Sequence, residues 1–167
     1  MPIKLIKDYG PHYRYICDIW NLDEDLKKNC DFKYCLDVID HFSKFLYSYL
    51  LKDKSMDSVL SKIKIHFFNH GKCKFFQTDN GSEFKNRELK IYLENENICQ
   101  IFSSIRHPQT NGCVEATHKT VRSNLLKKLK VQKDNFDIEN ALNDFLIMYN
   151  NTVHSSTKKR TIRNKKL

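Results

Sequence analysis

The sequence has no apolar stretch long enough to cross a bilayer. Its longest uncharged apolar run, FLYSYLL at 45–51, covers seven residues, whereas a spanning helix needs about 20. The first ten residues, MPIKLIKDYG, lack the apolar core of a secretory leader, so we expect no signal peptide. The 167 residues show no internal repeat and no clear second domain. These absences favour a single globular domain that is neither secreted nor membrane-spanning.

The sequence also lacks the cysteine pairs of a zinc site or a disulfide framework. Its six cysteines form no Cys-x-x-Cys pair; they are Cys17, Cys30, Cys35, Cys73, Cys99 and Cys113. Most lie in apolar, strand-like surroundings, and we interpret them as reduced core residues of an intracellular protein. His66 and His70 are four residues apart, but no cysteine or carboxylate pair completes a metal site around them. We therefore expect both to be core or surface histidines.

Positive charge is concentrated in the last third of the chain. The net charge is +9, and residues 116–167 hold twelve Lys or Arg against four Asp or Glu, which accounts for +8 of it. Such a basic region favours a polyanionic partner, with nucleic acid the first candidate. On charge alone, a lysine-rich soluble surface is an equally good interpretation.

Hydrophobic periodicity predicts five strands and four helices. The strands are expected at 13–20, at 32–51 as two strands broken near 40–44, at 73–77 and at 98–102, and the helices from Ser55 to Gly71 and at about 84–96, 112–130 and 136–150. Polar connections are expected at 21–30 and 103–111, and a basic flexible tail at 158–167. The first three strands should pair antiparallel, and the last two, each reached through a helix, should be parallel. The expected fold is α/β, with a mixed five-stranded sheet and helices on its faces.

Three carboxylates stand at positions that favour a shared site. Asp79 follows a short apolar strand, and Asp18 interrupts the apolar segment YICDIW. Glu115 opens a helix, and 35 residues lie between it and Asp79. Ligand-binding residues gather at the carboxyl ends of parallel strands, and hard divalent cations prefer oxygen ligands. Taken singly, Asp79 reads as a turn residue and Glu115 as an ordinary first-turn acid.

Two long motifs at this spacing resemble those of a known family. The segments TDNGSEF (78–84) and HPQTNGCVE (107–115) are similar to the acidic motifs of retroviral-type integrase catalytic cores, including those of long-terminal-repeat retrotransposons. VIDHFSKF (38–45) and YNNTVHSST (149–157) extend the resemblance over residues 13–157. Ala116 departs from the Arg or Asn that often follows the family's glutamate. We expect neither of the family's flanking zinc and DNA-binding modules here, which leaves open a polyprotein core, a standalone gene product or a decaying copy.

The resemblance implies a ribonuclease-H-like fold and a DDE polynucleotidyl transferase. Asp18, Asp79 and Glu115 correspond to its catalytic acids, and would hold two Mg²⁺ or Mn²⁺ ions about 4 Å apart. The implied reactions are trimming of the element's 3′ ends and their transfer to target DNA. DNA would be the partner, the family suggests a homodimer formed through helices, and the DNA substrate suggests the nucleus, with the cytoplasm as the other compartment.

DNA contacts are expected around the helix that begins near Glu115. Lys119 and Arg122 follow Glu115 at i+4 and i+7, on one face of the helix, while Val114, Val121 and Leu125 form its core-facing stripe. We interpret both cations as phosphate contacts; the alternative is a solvated face with an i,i+4 salt bridge. Gln109 and Asn111 match the family's mobile loop, with Asn111 expected at the DNA end.

The remaining acids receive other interpretations. Asp40 is expected to be a turn or capping residue, and Asp37 points to the other face of the same strand. Asp23, Glu24 and Asp25 are expected to be a solvated acidic run in the connection that follows the first strand. Asp18 is preferred as the first catalytic acid because it lies inside a strand, where a ligand is held rigidly.

Two other functions compete with the integrase. One is a noncatalytic DNA-binding remnant that retains the fold and the basic surface. The other is a ribonuclease-H-type nuclease acting on RNA–DNA hybrids, which the late glutamate after PQTNG disfavours.

Overall fold

The structure, a computed structural model, describes the backbone of residues 8–103, 108–154 and 159–160, and the side chains of residues 8–103 and 114–152. Its main sheet has five strands: β1 (Arg14–Asn21), β2 (Tyr34–Asp40), β3 (Leu46–Leu51), β4 (Phe75–Thr78) and β5 (Cys99–Phe102). Their order across the sheet is β3-β2-β1-β4-β5. β1, β2 and β3 pair antiparallel, whereas β4 pairs parallel with both β1 and β5. The predicted mixed sheet is therefore confirmed.

Five α-helices accompany the sheet in the described part of the chain. They are α1 (Glu24–Lys27), α2 (Met56–His70), α3 (Arg87–Asn95), α4 (Pro108–Gln132) and α5 (Ile138–Asn151), and a 3₁₀ turn (Lys133–Asn135) joins the last two. The predicted limits of α2 are confirmed: the Ser55 hydroxyl accepts a hydrogen bond from the Ser58 amide, and Gly71 follows the helix with φ of 92°. No helix in these ranges is both long and apolar enough to cross a membrane.

Side chains alternate between two cores on opposite faces of the sheet. Tyr15 and Cys17 of β1 point into a core closed by α2 and α3. Ile16 points to the other face, where Val121 of α4 and Phe145 of α5 close a second core. Because successive residues of a strand face opposite ways, Asp18 belongs to the α4 face. The helix that carries Glu115 thus covers the same side of the sheet as Asp18.

Three predicted boundaries need correction. α4 begins at Pro108 rather than at residue 112, so Gln109 and Asn111 lie in its first turns instead of a loop. Proline fits there because the first helical residue needs no N–H partner. The connection at 21–30 contains the short helix α1. Within the predicted tail, β7 (Lys159–Arg160) pairs with β6 (Val153–His154); the rest of that tail lies outside the described residues.

Three of the cysteines are the buried, reduced core residues that the sequence predicts. Cys17, Cys35 and Cys73 are buried free thiols, and Cys30 is partly buried. Cys99 is exposed because it lies on β5, the outer strand of the sheet, and so it is not the expected core residue. The side chain of Cys113 lies outside the described residues.

Candidate active site

Asp18 and Asp79 lie on neighbouring parallel strands. β1 pairs with β4 so that Ile16 is level with Gln77, and the same register carried two residues further brings Asp18 level with Asp79. The Asp18 side chain is 32% exposed, and its Oδ1 accepts a hydrogen bond of 2.8 Å from the Ile19 amide. Asp79 is exposed directly after the end of β4. The fold therefore brings together two of the three acids predicted from the sequence.

The environment of Asp18 disfavours its ionised form. Burial, with the nearby carboxylates of Asp79, Asp37 and Glu83, raises the pKa of Asp18 to about 7, although the Ile19 amide opposes the shift. Desolvation and like charges both act in this direction. A cation between these carboxylates would relieve both effects, and the oxygen donors are those that hard divalent ions prefer. The donor chemistry of the Asp18–Asp79 pair therefore fits such an ion.

The turn after β4 holds Asp79 in a defined position. The Gly81 amide donates a hydrogen bond of 2.9 Å to Oδ1 of Asp79. A methyl group on Gly81 would lie 2.7 Å from Oε2 of Glu83 and 3.0 Å from Oδ1 of Asp79. Glycine in TDNGSEF thus leaves room for two carboxylates to approach the same backbone.

Helix α4 places Glu115 on its exposed side. Val114, Val121 and Leu125 are buried against the sheet, which confirms the predicted apolar stripe. Glu115 is exposed, and its charge acts on His118 one turn later. Among the side chains that the structure describes, no three His, Cys, Asp or Glu residues are grouped closely enough to hold a metal. Glu115 is therefore not close enough to Asp18 and Asp79 to form one ligand group with them. His118 lies between, since it is influenced by the charge of Glu115 and lies 3.8 Å from Asp18.

The two cations predicted to bind DNA differ in their surroundings. Lys119 is exposed on α4. The Arg122 guanidinium is bonded to Asp23 through both Nε, at 2.6 Å from Oδ2, and Nη2. Asp23 was predicted to be solvated, but its side chain is only 19% exposed because Arg122 lies over it. The side chains of Gln109 and Asn111 lie outside the described residues.

The turn interpretation of Asp40 is confirmed. Its carboxylate accepts hydrogen bonds from the backbone amides of Phe42 at 2.9 Å and Ser43 at 3.2 Å, and from the His12 amide at 2.7 Å. In β2 its side chain points away from the face that carries Asp37 and Asp18. Asp40 therefore cannot share a site with Asp18 across the sheet.

The sequence interpretation missed the role of two polar residues beside Asp18. Asp37 is the cross-strand partner of Asp18, points to the same face and is completely buried. His118 approaches both, with Nδ1 3.8 Å from Oδ2 of Asp18 and Nε2 3.4 Å from Oδ2 of Asp37. The register of the β1–β2 hairpin was the available signal for Asp37, whereas no sequence signal indicated His118.

A mixed five-stranded sheet in this order, with Asp18 within β1 and Asp79 directly after β4, has the ribonuclease-H-like fold of integrase catalytic cores. The profile of the family "Integrase core domain" matches residues 8–108, which include Asp18 and Asp79 and end before Glu115. The chain belongs to this family.

Two curated relatives are polyproteins much longer than this chain. The chain is 29% identical over 121 residues to the retrovirus-related Pol polyprotein from transposon 412 of Drosophila melanogaster, covering 72% of this chain and 10% of that one. It is 28% identical over 145 residues to the Gag-Pro-Pol polyprotein of Human T-cell leukemia virus 2, covering 85% and 10% respectively. The chain thus spans about a tenth of these polyproteins.

Solved structures share the fold at low sequence identity. The HTLV-2 integrase catalytic core domain in complex with magnesium, in its trimeric form, has a TM-score of 0.76 at 22% identity, covering 93% of this chain and 97% of that one. A simian T-cell lymphotropic virus intasome has a TM-score of 0.78 at 20% identity, covering 94% and 55%.

Proposed function

We propose that this chain is the catalytic core of a DNA integrase that processes 3′ ends and joins them to target DNA. The observation that carries the proposal is the Asp18–Asp79 pair, at the level where two parallel strands of an integrase-type sheet meet. Glu115 is the third acid of the proposed catalytic set, on the helix that packs over the same face of the sheet.

Asp18, Asp79 and Glu115 are the proposed ligands of Mg²⁺ or Mn²⁺, with two ions per site. The raised pKa of Asp18 supports this because burial, followed by the charges of the nearby carboxylates, disfavours an ionised form that a bound cation would stabilise. The HTLV-2 core was solved with magnesium. Divalent ions activate an attacking oxygen and stabilise a leaving one in phosphoryl transfer. The contribution of this chain is to hold Asp18 rigidly in β1 and Asp79 in its hydrogen-bonded turn.

The exposed face of α4 is the proposed contact for DNA phosphates. Lys119, Arg122, Lys127 and Lys130 are all exposed along this helix. Each cation that neutralises a duplex phosphate adds about 0.9 to the slope of log affinity against log salt. Gln109 and Asn111, in the first turns of the same helix, are proposed to contact the DNA end.

We also propose a homodimer formed through helices and a nuclear site of action. Exposed apolar side chains on the helices support the first point: Phe68 of α2 is 90% exposed, and Ile147 and Met148 of α5 are more than half exposed. The HTLV-2 core was solved in dimeric and trimeric forms. The nuclear assignment follows from the proposed DNA substrate.

A strand-transfer assay separates this function from its competitors. With Mg²⁺ or Mn²⁺, an integrase core should join the 3′-hydroxyl of an end oligonucleotide to target DNA, or resolve a branched substrate. A DNA-binding remnant would bind the same oligonucleotides without forming a product. A ribonuclease-H-type nuclease would instead cut the RNA strand of a hybrid. Failure of both DNA reactions, with DNA binding retained, would favour the remnant.

Releasing Arg122 from Asp23 should strengthen DNA binding. In Asp23→Asn the guanidinium loses its carboxylate partner and becomes available to a phosphate. We expect tighter binding at low salt and a log–log salt slope steeper by about 0.9, measured by fluorescence anisotropy with duplex DNA. Asp23 precedes α1 without capping it through its side chain, so the substitution should leave that helix intact.

Asp25→Asn is the matched control, since it makes the same change in net charge at an acid that is 75% exposed. Equal slopes for the two variants would show that only overall charge matters and that Arg122 does not contact phosphate.

A further inference from the structure

A buried carboxylate lies beside Asp18. Asp37 of β2 is the cross-strand partner of Asp18, and its side chain is 0% exposed. Burying a carboxylate is costly unless hydrogen bonds or a charge partner compensate it. Burying the Asp37 carboxylate beside the proposed catalytic acid therefore costs desolvation free energy that its neighbours must offset.

Three groups donate hydrogen bonds to Asp37. The Trp20 indole N–H lies 3.0 Å from Oδ2, the Ser48 hydroxyl lies 2.5 Å from Oδ1, and the Cys35 thiol makes a weak contact at 3.5 Å. The fourth neighbour is His118, whose Nε2 is 3.4 Å from Oδ2. Burial raises the pKa of Asp37, and His118 is the largest of the influences that oppose this shift.

His118 connects this buried group to the helix that carries Glu115. Its ring lies against Trp20, with centroids 5.9 Å apart. Nε2 is buried and has no hydrogen-bond partner within normal distance among the side chains that the structure describes, where Asp37 is its polar neighbour. The other nitrogen, Nδ1, is 3.8 Å from Oδ2 of Asp18. One imidazole thus lies beside a strand acid and its buried neighbour, about one turn of α4 after Glu115.

We propose that His118 is a positioning residue, anchored by Asp37 through Nε2, which sets the carboxylate of Asp18 relative to Glu115. The inference rests on the proposed function, because it assigns a role around the same metal ligands. An imidazole is planar and rigid, so fixing Nε2 also fixes the direction in which Nδ1 points. A helix anchored in this way cannot slide along β1 without breaking the contact with Asp37. The alternative is a brace that serves stability alone.

Metal affinity distinguishes positioning from bracing. Outer partners of metal ligands typically contribute about 10–100-fold in affinity or activity. We therefore expect His118→Ala to weaken Mn²⁺ binding to the DNA-free chain by about that factor, measured by calorimetry, with duplex DNA affinity unchanged. A brace would lower the thermal midpoint and leave Mn²⁺ affinity at the wild-type value.

Two conservative variants protect the test against misfolding. In His118→Gln the amide nitrogen replaces Nε2, so the contact with Asp37 and the fold should survive while the atom facing Asp18 is lost. In His118→Asn the amide nitrogen replaces Nδ1 and should recover part of the affinity. The expected order of Mn²⁺ affinity is wild type, then Asn, then Gln. Equal affinities in all three would overturn the proposal.

A double-mutant cycle tests the anchor. Asp37→Asn keeps one acceptor oxygen, which the Trp20 indole can use, and places an NH₂ group that can donate to the Ser48 hydroxyl, but it removes the carboxylate beside His118. It should weaken Mn²⁺ binding in the wild-type background and add little when combined with His118→Gln, because contacting residues are not additive. Additive effects would refute an anchor that acts through His118.

The outcome is separable from that of the proposed function. A wild-type chain that binds Mn²⁺ yet fails to join DNA would refute the integrase activity and leave the calorimetric test valid. A wild-type chain that binds no Mn²⁺ would refute both the metal assignment and the role of His118.

Discussion

Asp18→Asn should eliminate phosphodiester cleavage and joining. The substitution keeps the shape of the side chain but removes the charge that faces Asp79, and with it a proposed ligand of the catalytic ions. Loss of several kcal/mol of transition-state stabilisation lowers the rate by about a thousandfold or more. Glu115→Gln should have the same effect, and both variants should bind DNA nearly as well as the wild type. Gel analysis of labelled end oligonucleotides with Mg²⁺ gives the rates.

The same variant should be more stable than the wild type when metal is removed. Because the pKa of Asp18 is raised from 3.8 to about 7 in the folded chain, its ionised form opposes folding above that range. Wild-type stability from this group therefore falls as pH rises from about 4 to about 7. In the presence of a chelator, the thermal midpoint of Asp18→Asn should be higher than that of the wild type at pH 8, and the difference should shrink as the pH is lowered.

Catalytic activity in Asp18→Asn, combined with its loss in Asp37→Asn or Asp40→Asn, would contradict the assignment of Asp18 as the first catalytic acid.

Acid should destabilise the fold through His66. This side chain is 0% exposed, its Nδ1 shares a hydrogen bond of 2.9 Å with the Tyr49 hydroxyl, and the rings of Tyr15 and Tyr47 lie against it. Burial, with charge from His70 and His12, lowers the pKa of His66 from 6.5 to about 3. The unfolded chain therefore takes up a proton first as the pH falls. Stability from this group is complete above about pH 6.5 and decreases by about 3 kcal/mol by pH 4.

Chemical denaturation at pH 7 and pH 4 measures this loss, and His66→Gln should remove most of it because an amide does not titrate in this range. The matched control is His70→Gln, which removes a half-buried imidazole one turn later on α2; it should retain most of the loss, because burial contributes more to the pKa shift of His66 than the charge of His70 does. Asp18 acts in the opposite direction over the same pH range, so the comparison is between the wild type and His66→Gln: an equal change in stability between the two pH values in both chains would show that His66 is accessible to protons in the folded state.

The sheet could be predicted because its signals are local. Apolar and β-branched runs marked the strands, and a hairpin or an intervening helix determined whether each pair is antiparallel or parallel. Helix α4 was predicted to begin too late in the chain. The polar PQTNG segment carries no apolar periodicity, so the sequence does not show that the helix already begins at Pro108. Helix α1 was missed for a similar reason, since EDLK is too short for a periodic pattern.

The residues of the candidate site also fall into those that a local sequence signal predicts and those that only tertiary packing brings together. Asp79 and Glu115 were found through long motifs, and Asp18 through its place in a strand. The contacts of Arg122 with Asp23 and of His118 with Asp37 join residues that are 99 and 81 positions apart in the chain. Such contacts depend on how α4 packs against the sheet, which no local pattern encodes.

Anomalous scattering at the manganese edge, from crystals of the chain grown with a DNA end and Mn²⁺, would locate the catalytic ions directly. We expect peaks bounded by the carboxylates of Asp18 and Asp79, with Glu115 among the ligands. Manganese bound elsewhere, or a site that excludes Asp18 or Asp79, would contradict the metal assignment.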